Sequence, residues 1–290
     1  MMAGEGDSDP TITELCERLL VTVVGDAGFW GRRLFLVGGL LPRHFYGSAR
    51  ERAMAYIGSR DLDLTVVLMV DYPTPESYGT LERQLLAAGF LQAPFSGDPG
   101  YRWRKEADGA SLILEFICET SKVAPGAEFK PRSGSKARFQ ALNVRGSRLV
   151  GEDCKLILIG ARRLDNGGAA NVGVQVAGLM PYLALKILAF VDRRHARDVY
   201  DIVWTLANHK EGPAGAGREM AASPVIADPL AVEAVSLLRG HFAEIRNDAP
   251  MAYAAFLGVA GNLTPTAQLR IEAVETVKAA LKAFDAALPS

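Results

Sequence analysis

Near residue 177 the apolar periodicity of this 290-residue chain changes, and that change limits the folds open to it. Upstream, short apolar runs such as RRLFLVGGLL, DLDLTVVLMV (61–70) and KLILIG alternate with turn signals, the pattern of strands. Downstream, LMPYLALKILAFVD, ARDVYDIVWTLAN, PLAVEAVSLLRGHFAEI, MAYAAFLGVA and TAQLRIEAVETVKAALKAF repeat their apolar residues at helical spacing. The expected organisation is an α+β fold: a mixed sheet with flanking helices over residues 1–175, then a helical half over 176–290. Two helices belong to the first half. One covers 11–24, where Leu15, Leu19, Leu20 and Val23 recur, and the other covers 75–88 and ends on Gly89 as its cap. Between YRWRKEA and ASLILEFICE, Asp108-Gly109 predicts a two-residue hairpin turn. By composition, HKEGPAGAGREMAASP (209–224) reads as a flexible loop and DNGGAANVGV as a turn-rich stretch.

Composition removes several classes of function. With 32 Lys plus Arg against 33 Asp plus Glu, the net charge is −1, so no uniformly basic coat binds nucleic acid. A local basic face is still available. Ten Lys or Arg stand against three acids between Lys122 and Arg163, and six arginines (32, 33, 43, 50, 52, 60) precede Asp61. Tyr101, Trp103 and Phe139 are suited either to stacking on unpaired bases or to packing the hairpin. Apolar runs are too short to span a bilayer, and the acidic start MMAGEGDSDP is unlike a signal peptide. Three widely spaced cysteines make neither a disulfide framework nor a zinc site. A soluble, cytoplasmic protein is expected. There is no P-loop, no G-x-S-x-G and no H-E-x-x-H.

The chemistry-bearing residues begin with LVGG (36–39), followed after a gap by GSRDLDL (58–64). Strand residues alternate faces, so Asp61 and Asp63 point the same way while Leu62, Leu64 and Val66 take the other. Two carboxylates abreast at the start of an apolar strand repel each other, and a divalent cation relieves that repulsion. An oxygen-only site suits Mg2+ or Mn2+, and Mg2+ also accepts substrate phosphates as ligands. In SLILEFICE, Glu115 and Glu119 are candidate third carboxylates; with a strand of that kind beside Asp61, two metal ions about 4 Å apart could clamp a phosphoryl displacement. Gly38 and Gly39 leave room for a phosphate to approach the backbone, and Ser59 offers a hydroxyl to the same phosphates.

A glycine pair, a spacer and S-x-D-L-D-L resemble the nucleotidyltransferase signature of the DNA polymerase β-like superfamily. The chain looks most like the AbiEii-type toxins of type IV toxin–antitoxin systems. LALKILAFVDRRHARDVYDIVWTL (183–206) is similar to the helical segment those proteins carry after the core: an aliphatic stretch with a lysine, basic residues, then R-D-x-Y-D. The resemblance implies a polymerase β-like core whose active-site cleft is completed by the helical half. It implies metal ligation by Asp61 and Asp63, a triphosphate contact at Ser59, phosphate neutralisation by Lys186, and an acidic role for Asp198 or Asp201. Family members often carry Asp where this chain has Glu115. The implied reaction moves a nucleoside monophosphate from an NTP to RNA, a tRNA 3′ end above all, with growth arrest relieved by a cognate antitoxin. Alternatives are a small-molecule acceptor of aminoglycoside type, a protein hydroxyl, or a non-catalytic nucleotide-binding module. Simpler roles also fit two groups of these residues. Lys186 could snorkel to water, and Arg194–Asp198 and Arg197–Asp201 are spaced for surface ion pairs.

Overall fold

A mixed sheet organises the first half of the chain and a set of packed helices the second. The computed structural model describes residues 10–26, 33–45, 62–68, 75–92, 99–130 and 139–288. Those within 8–41 and 58–177 form one compact unit, and those within 42–57 and 178–290 form another.

In the first unit, helix α1 (Pro10–Asp26) is followed by strand β1 (Leu34–Leu36), strand β2 (Leu62–Leu68) and helix α3 (Pro75–Ala87); the short helix α2 (Pro42–Phe45) lies in the second unit. Strands β3 (Leu91–Gln92), β4 (Arg102–Ala107), β5 (Ala110–Cys118), β6 (Glu128–Phe129) and β7 (Ala141–Asn143) come next. Helix α4 (Leu149–Glu152) then leads into β8 (Cys154–Arg162) and β9 (Ala169–Ala177). The sheet runs β3-β4-β5-β2-β1-β9-β8, with β7 branching from β5 and β6 from β7. Strand β2 is parallel to β5 and antiparallel to β1, which in turn is parallel to β9.

Asp108 and Gly109 make the turn that their identities predict, both with positive φ (49° and 79°). A two-residue loop fixes the register, so Arg102 pairs with Glu115 and Trp103 with Leu114. One face of the sheet is the core: Trp103, Leu112, Leu114, Phe116, Val174 and Val176 are all buried. Helix α1 packs on this sheet through Leu15, Leu19, Leu20 and Val23, the residues that predicted it. Its polar ties are equally specific. Thr22 Oγ1 accepts from the Leu164 amide at 2.9 Å, and Arg163 binds both Asp26 and Asp165. Gly89 ends α3 at φ 83°, as expected of its cap.

DNGGAANVGV, read as turn-rich, is a turn only at its start. Gly167 takes φ 68°, and from Ala169 the chain is strand β9, paired with β8 residue for residue. The glycines there mask a period-two pattern in which Val174 and Val176 are buried while Asn171 is exposed.

The second unit contains α2 and helices α5 (Leu179–Arg193), α6 (Ala196–Ala207), α7 (Gly212–Ala221), α8 (Pro229–His241), α9 (Asp248–Val259) and α10 (Thr266–Ala287). Helix α5 is buried on almost every side, in keeping with an apolar sequence that shows no polar face. Asp228 caps α8, its side chain accepting from the Leu230 amide at 2.9 Å. The expected loop at 209–224 is instead helix α7 lying along α10. Its glycines serve close approach: a Cβ on Gly217 would come 2.0 Å from the Ala280 carbonyl oxygen. His209 anchors the start of this segment. Its Nδ1 accepts from the Glu211 amide, which leaves Nε2 to donate to Glu219 at 3.1 Å.

Candidate functional site

The expected site residues fall in both units. Asp61 and Ser59 lie outside the described residues. Asp63 is the second residue of β2, beside Ile113 of β5, and Thr65 is the residue abreast of Glu115. Because β1 runs antiparallel to β2, the chain leaves β1 at the end of the sheet where β2 begins. Val37, Gly38 and Gly39 therefore emerge beside the opening of the acidic strand. There the chain turns tightly, with the Leu41 amide donating to the Gly38 carbonyl at 3.0 Å. Strand β5 also starts at this end, and β9 finishes there and leads through Gly178 into α5.

The two candidates for a third carboxylate have different surroundings. Glu115 is bound across the hairpin by Arg102, whose Nε donates to Oε1 at 2.5 Å. Glu119 lies beyond the far end of β5, past the Cys118–Leu68 pair. Its Oε2 accepts from the Gly146 and Arg148 amides, both at 3.0 Å. It holds the 144–148 loop and stands at the opposite end of β5 from the row shared with Asp63. Two carboxylates at i and i+2 have the donor chemistry that magnesium requires. Glu115 accepts from Arg102 through Oε1. Among the described residues, no three His, Cys, Asp or Glu side chains are grouped to hold a metal ion.

In the helical unit, α5 and α6 bring Lys186, Asp198 and Asp201 together. Arg194 supplies the left-handed residue (φ 57°) that ends α5, and α6 starts two residues later. Lys186 Nζ donates to Asp201 Oδ2 at 2.5 Å and to Asp198 Oδ1 at 3.4 Å, and it lies 5.6 Å from the Tyr182 ring centre. Asp198 also accepts two bonds from Arg193, at 2.9 and 2.8 Å. Two cations thus balance two buried anions, which removes most of the penalty for burying either sign. Asp198 is tied to Arg193 and Lys186, while Arg194 binds Asp248 in place of the expected i,i+4 partner. Asp201 is fully buried.

Burial pushes the Asp198 carboxyl up, but the Lys186 charge and the Arg193 bonds outweigh it and hold the group below its ordinary value. A depressed folded-state pKa stabilises the fold at pH values above the unfolded pKa, about 4. That contribution is lost as pH falls through the lower folded value. Thermal unfolding followed from neutral pH downward is expected to show a declining midpoint below pH of about 4, and Asp198→Asn to show a shallower decline.

Two of the three aromatic candidates for base stacking are structural. Trp103 and Phe139 are buried in a cluster with Tyr78 and Phe116, whose rings lie 5.6 and 4.8 Å from that of Phe139. Tyr101 is half-buried, with the Arg102 guanidinium 5.8 Å from its ring centre. Parts of the basic stretch are likewise bound internally. Arg163 is held by Asp26 and Asp165, and Arg148 by Glu119 and Glu152. Cys118 is buried, and that burial, followed by the Glu119 charge, pushes its thiol up to about 12, so it is not a nucleophile.

Compared with protein-family models, with curated proteins and with solved structures, the chain finds no match in any of the three. The described residues contain no helix long and apolar enough to cross a membrane.

Two functional candidates were missing from the sequence reading. Arg102 was recoverable, since a two-residue turn at Asp108-Gly109 places it opposite Glu115. Arg193 carried no such signal, because it reaches Asp198 only after the chain reverses at Arg194.

Proposed function

We propose that the protein is a metal-dependent nucleotidyltransferase that moves a nucleoside monophosphate from an NTP to an RNA hydroxyl, a tRNA 3′ end above all. It would act as a growth-inhibiting toxin restrained by a cognate antitoxin. The observation that carries this reading is the end of the sheet where Gly38–Gly39 leave β1 beside the opening of β2, whose second residue is Asp63. The sequence similarity of 36–64 and 183–206 to AbiEii-type enzymes supports it. A polymerase β-like core is part of the same proposal.

In the proposed reaction the acceptor oxygen bonds to the α-phosphorus as the α–β bridging bond breaks. The products are the nucleotidylated acceptor and pyrophosphate, and the hydroxyl proton is lost to solvent. Magnesium, held by Asp61 and Asp63, would supply charge neutralisation at the phosphates. Backbone N–H groups around Gly38 and Gly39 and the Ser59 hydroxyl would orient the triphosphate. Lys186 would neutralise phosphate charge, while Asp198 and Asp201, turned onto Lys186 and Arg193, would position the ammonium rather than touch substrate.

Incubating the protein with each labelled NTP, total RNA and Mg2+ tests the proposal. Label in a tRNA-sized band is expected, and Asp61→Asn should abolish it while leaving the thermal midpoint unchanged. Label on another acceptor would move the acceptor to a small molecule or a protein. No transfer from any NTP would leave at most a non-catalytic nucleotide-binding module and overturn the proposal.

A further inference from the structure

The Lys186 ammonium has three N–H donors, and two of them are taken among the described residues, by Asp201 at 2.5 Å and by Asp198 at 3.4 Å. A third neighbour is an aromatic face. Tyr182 stands one turn earlier on α5, and helical side chains lean back towards the N-terminus, so Lys186 reaches over the ring with Nζ 5.6 Å from its centre. The lysine side chain is 11% exposed and Tyr182 is fully buried, so little water weakens the attraction between ammonium and ring. The ring is itself braced. Phe45 of α2 meets it edge to face, with ring centres 5.1 Å apart and planes at 71°.

An aromatic face attracts a cation through the ring quadrupole without accepting a hydrogen bond from a particular N–H group. A carboxylate in the same place would take the last donor as well. We propose that Tyr182 is a positioning residue for Lys186: with the two aspartates it fixes the ammonium while leaving the third N–H for a phosphate oxygen of a bound triphosphate. The aspartates act from α6 and the ring from α5, so the ammonium is held from two helices. An aliphatic residue at 182 would leave the ion pairs in place but remove the attraction that sets where the third donor points. The identity of the ligand rests on the nucleotidyltransferase reading; the contact between ring and ammonium does not.

NMR of protein carrying 13C at lysine Cε, with the Lys186 signal assigned from its loss in Lys186→Arg, reads the contact directly. Ring-current shielding should place that signal upfield. It should move downfield in Tyr182→Leu and stay in Tyr182→Phe, which keeps the ring. Phe45→Leu, at a half-buried position, should move it the same way by less, and this variant decides the matter if Tyr182→Leu does not fold. The same signal followed against inorganic triphosphate with Mg2+ reports affinity. Wild type and Tyr182→Phe should bind alike, and Tyr182→Leu at least about tenfold more weakly. A wild type that shows the ring shift and binds triphosphate but transfers no nucleotide would overturn the enzymatic reading and leave the role of Tyr182 standing. A wild type that does not bind triphosphate, a Lys186 signal unmoved by Tyr182→Leu and Phe45→Leu, or equal affinity in Tyr182→Leu and wild type overturns the proposal.

Discussion

Gly217→Val is expected to destabilise the helical unit by about 3 kcal/mol or more, at or beyond the usual upper range for overpacking. The reason is the identity of the obstructing atoms. A Cβ at Gly217 would lie 2.0 Å from the Ala280 carbonyl oxygen and 2.9 Å from the Phe284 amide nitrogen, all backbone of α10. A side chain can change rotamer to make room, but helix backbone moves only by shifting the whole helix. Helix α10 also carries buried Leu269, Val277, Leu281 and Phe284, so a shift there opens gaps elsewhere. Gly258→Ala in α9 is the matched comparison. A Cβ there meets nothing within 4 Å, and the higher helix propensity of alanine should stabilise by up to about 1 kcal/mol. Opposite signs for the two glycines in guanidinium unfolding would establish close approach as the cause. Equal, small effects would show that α7 and α10 do not depend on contact at Gly217.

That glycine also shows where the sequence misleads. A segment with three glycines and two prolines within 209–224 has the composition of a loop, and composition carries no information about a neighbouring helix 60 residues away. The same ambiguity hid β9, where the glycines 167, 168 and 173 obscured the alternation of valines. Local rules succeeded where one element decides its own geometry. The Asp108–Gly109 turn, the ends of α3 and the apolar stripe of α1 depend on nearby residues alone, and each is found as expected. The candidate site was legible in the same measure. The grouping of Lys186 with Asp198 and Asp201 follows from two adjacent helices joined by a short turn. The Glu115–Arg102 pairing follows from the hairpin register, whereas the loop-holding role of Glu119 and the second cation at Asp198 are tertiary, and spacing along the chain did not reveal them.

Lys186→Met is expected to cost about 3–5 kcal/mol of stability, the range found when one partner of a buried ion pair is removed. The substitution keeps the length and apolar stem of the side chain, so the loss isolates the charge. Asp198 would keep Arg193, which holds it through two bonds, but Asp201, fully buried, would lose the ammonium that lies 2.5 Å away. The cost would thus arise chiefly at Asp201, and a second substitution should expose that. Lys186→Met combined with Asp201→Leu removes both charges, so the double variant should be more stable than the sum of the single losses predicts, by at least about 1 kcal/mol. Lys186→Arg retains the positive charge but replaces a compact ammonium with a planar fork that does not fit the same two carboxylates. It should fall between wild type and Lys186→Met. Simple additivity in the double variant, measured by guanidinium unfolding at neutral pH, would show that Lys186 and Asp201 are independent. In that case the positioning role assigned to Asp201 would lose its physical basis, and the polar join of α5 and α6 would rest on Asp198 with Arg193 and Lys186.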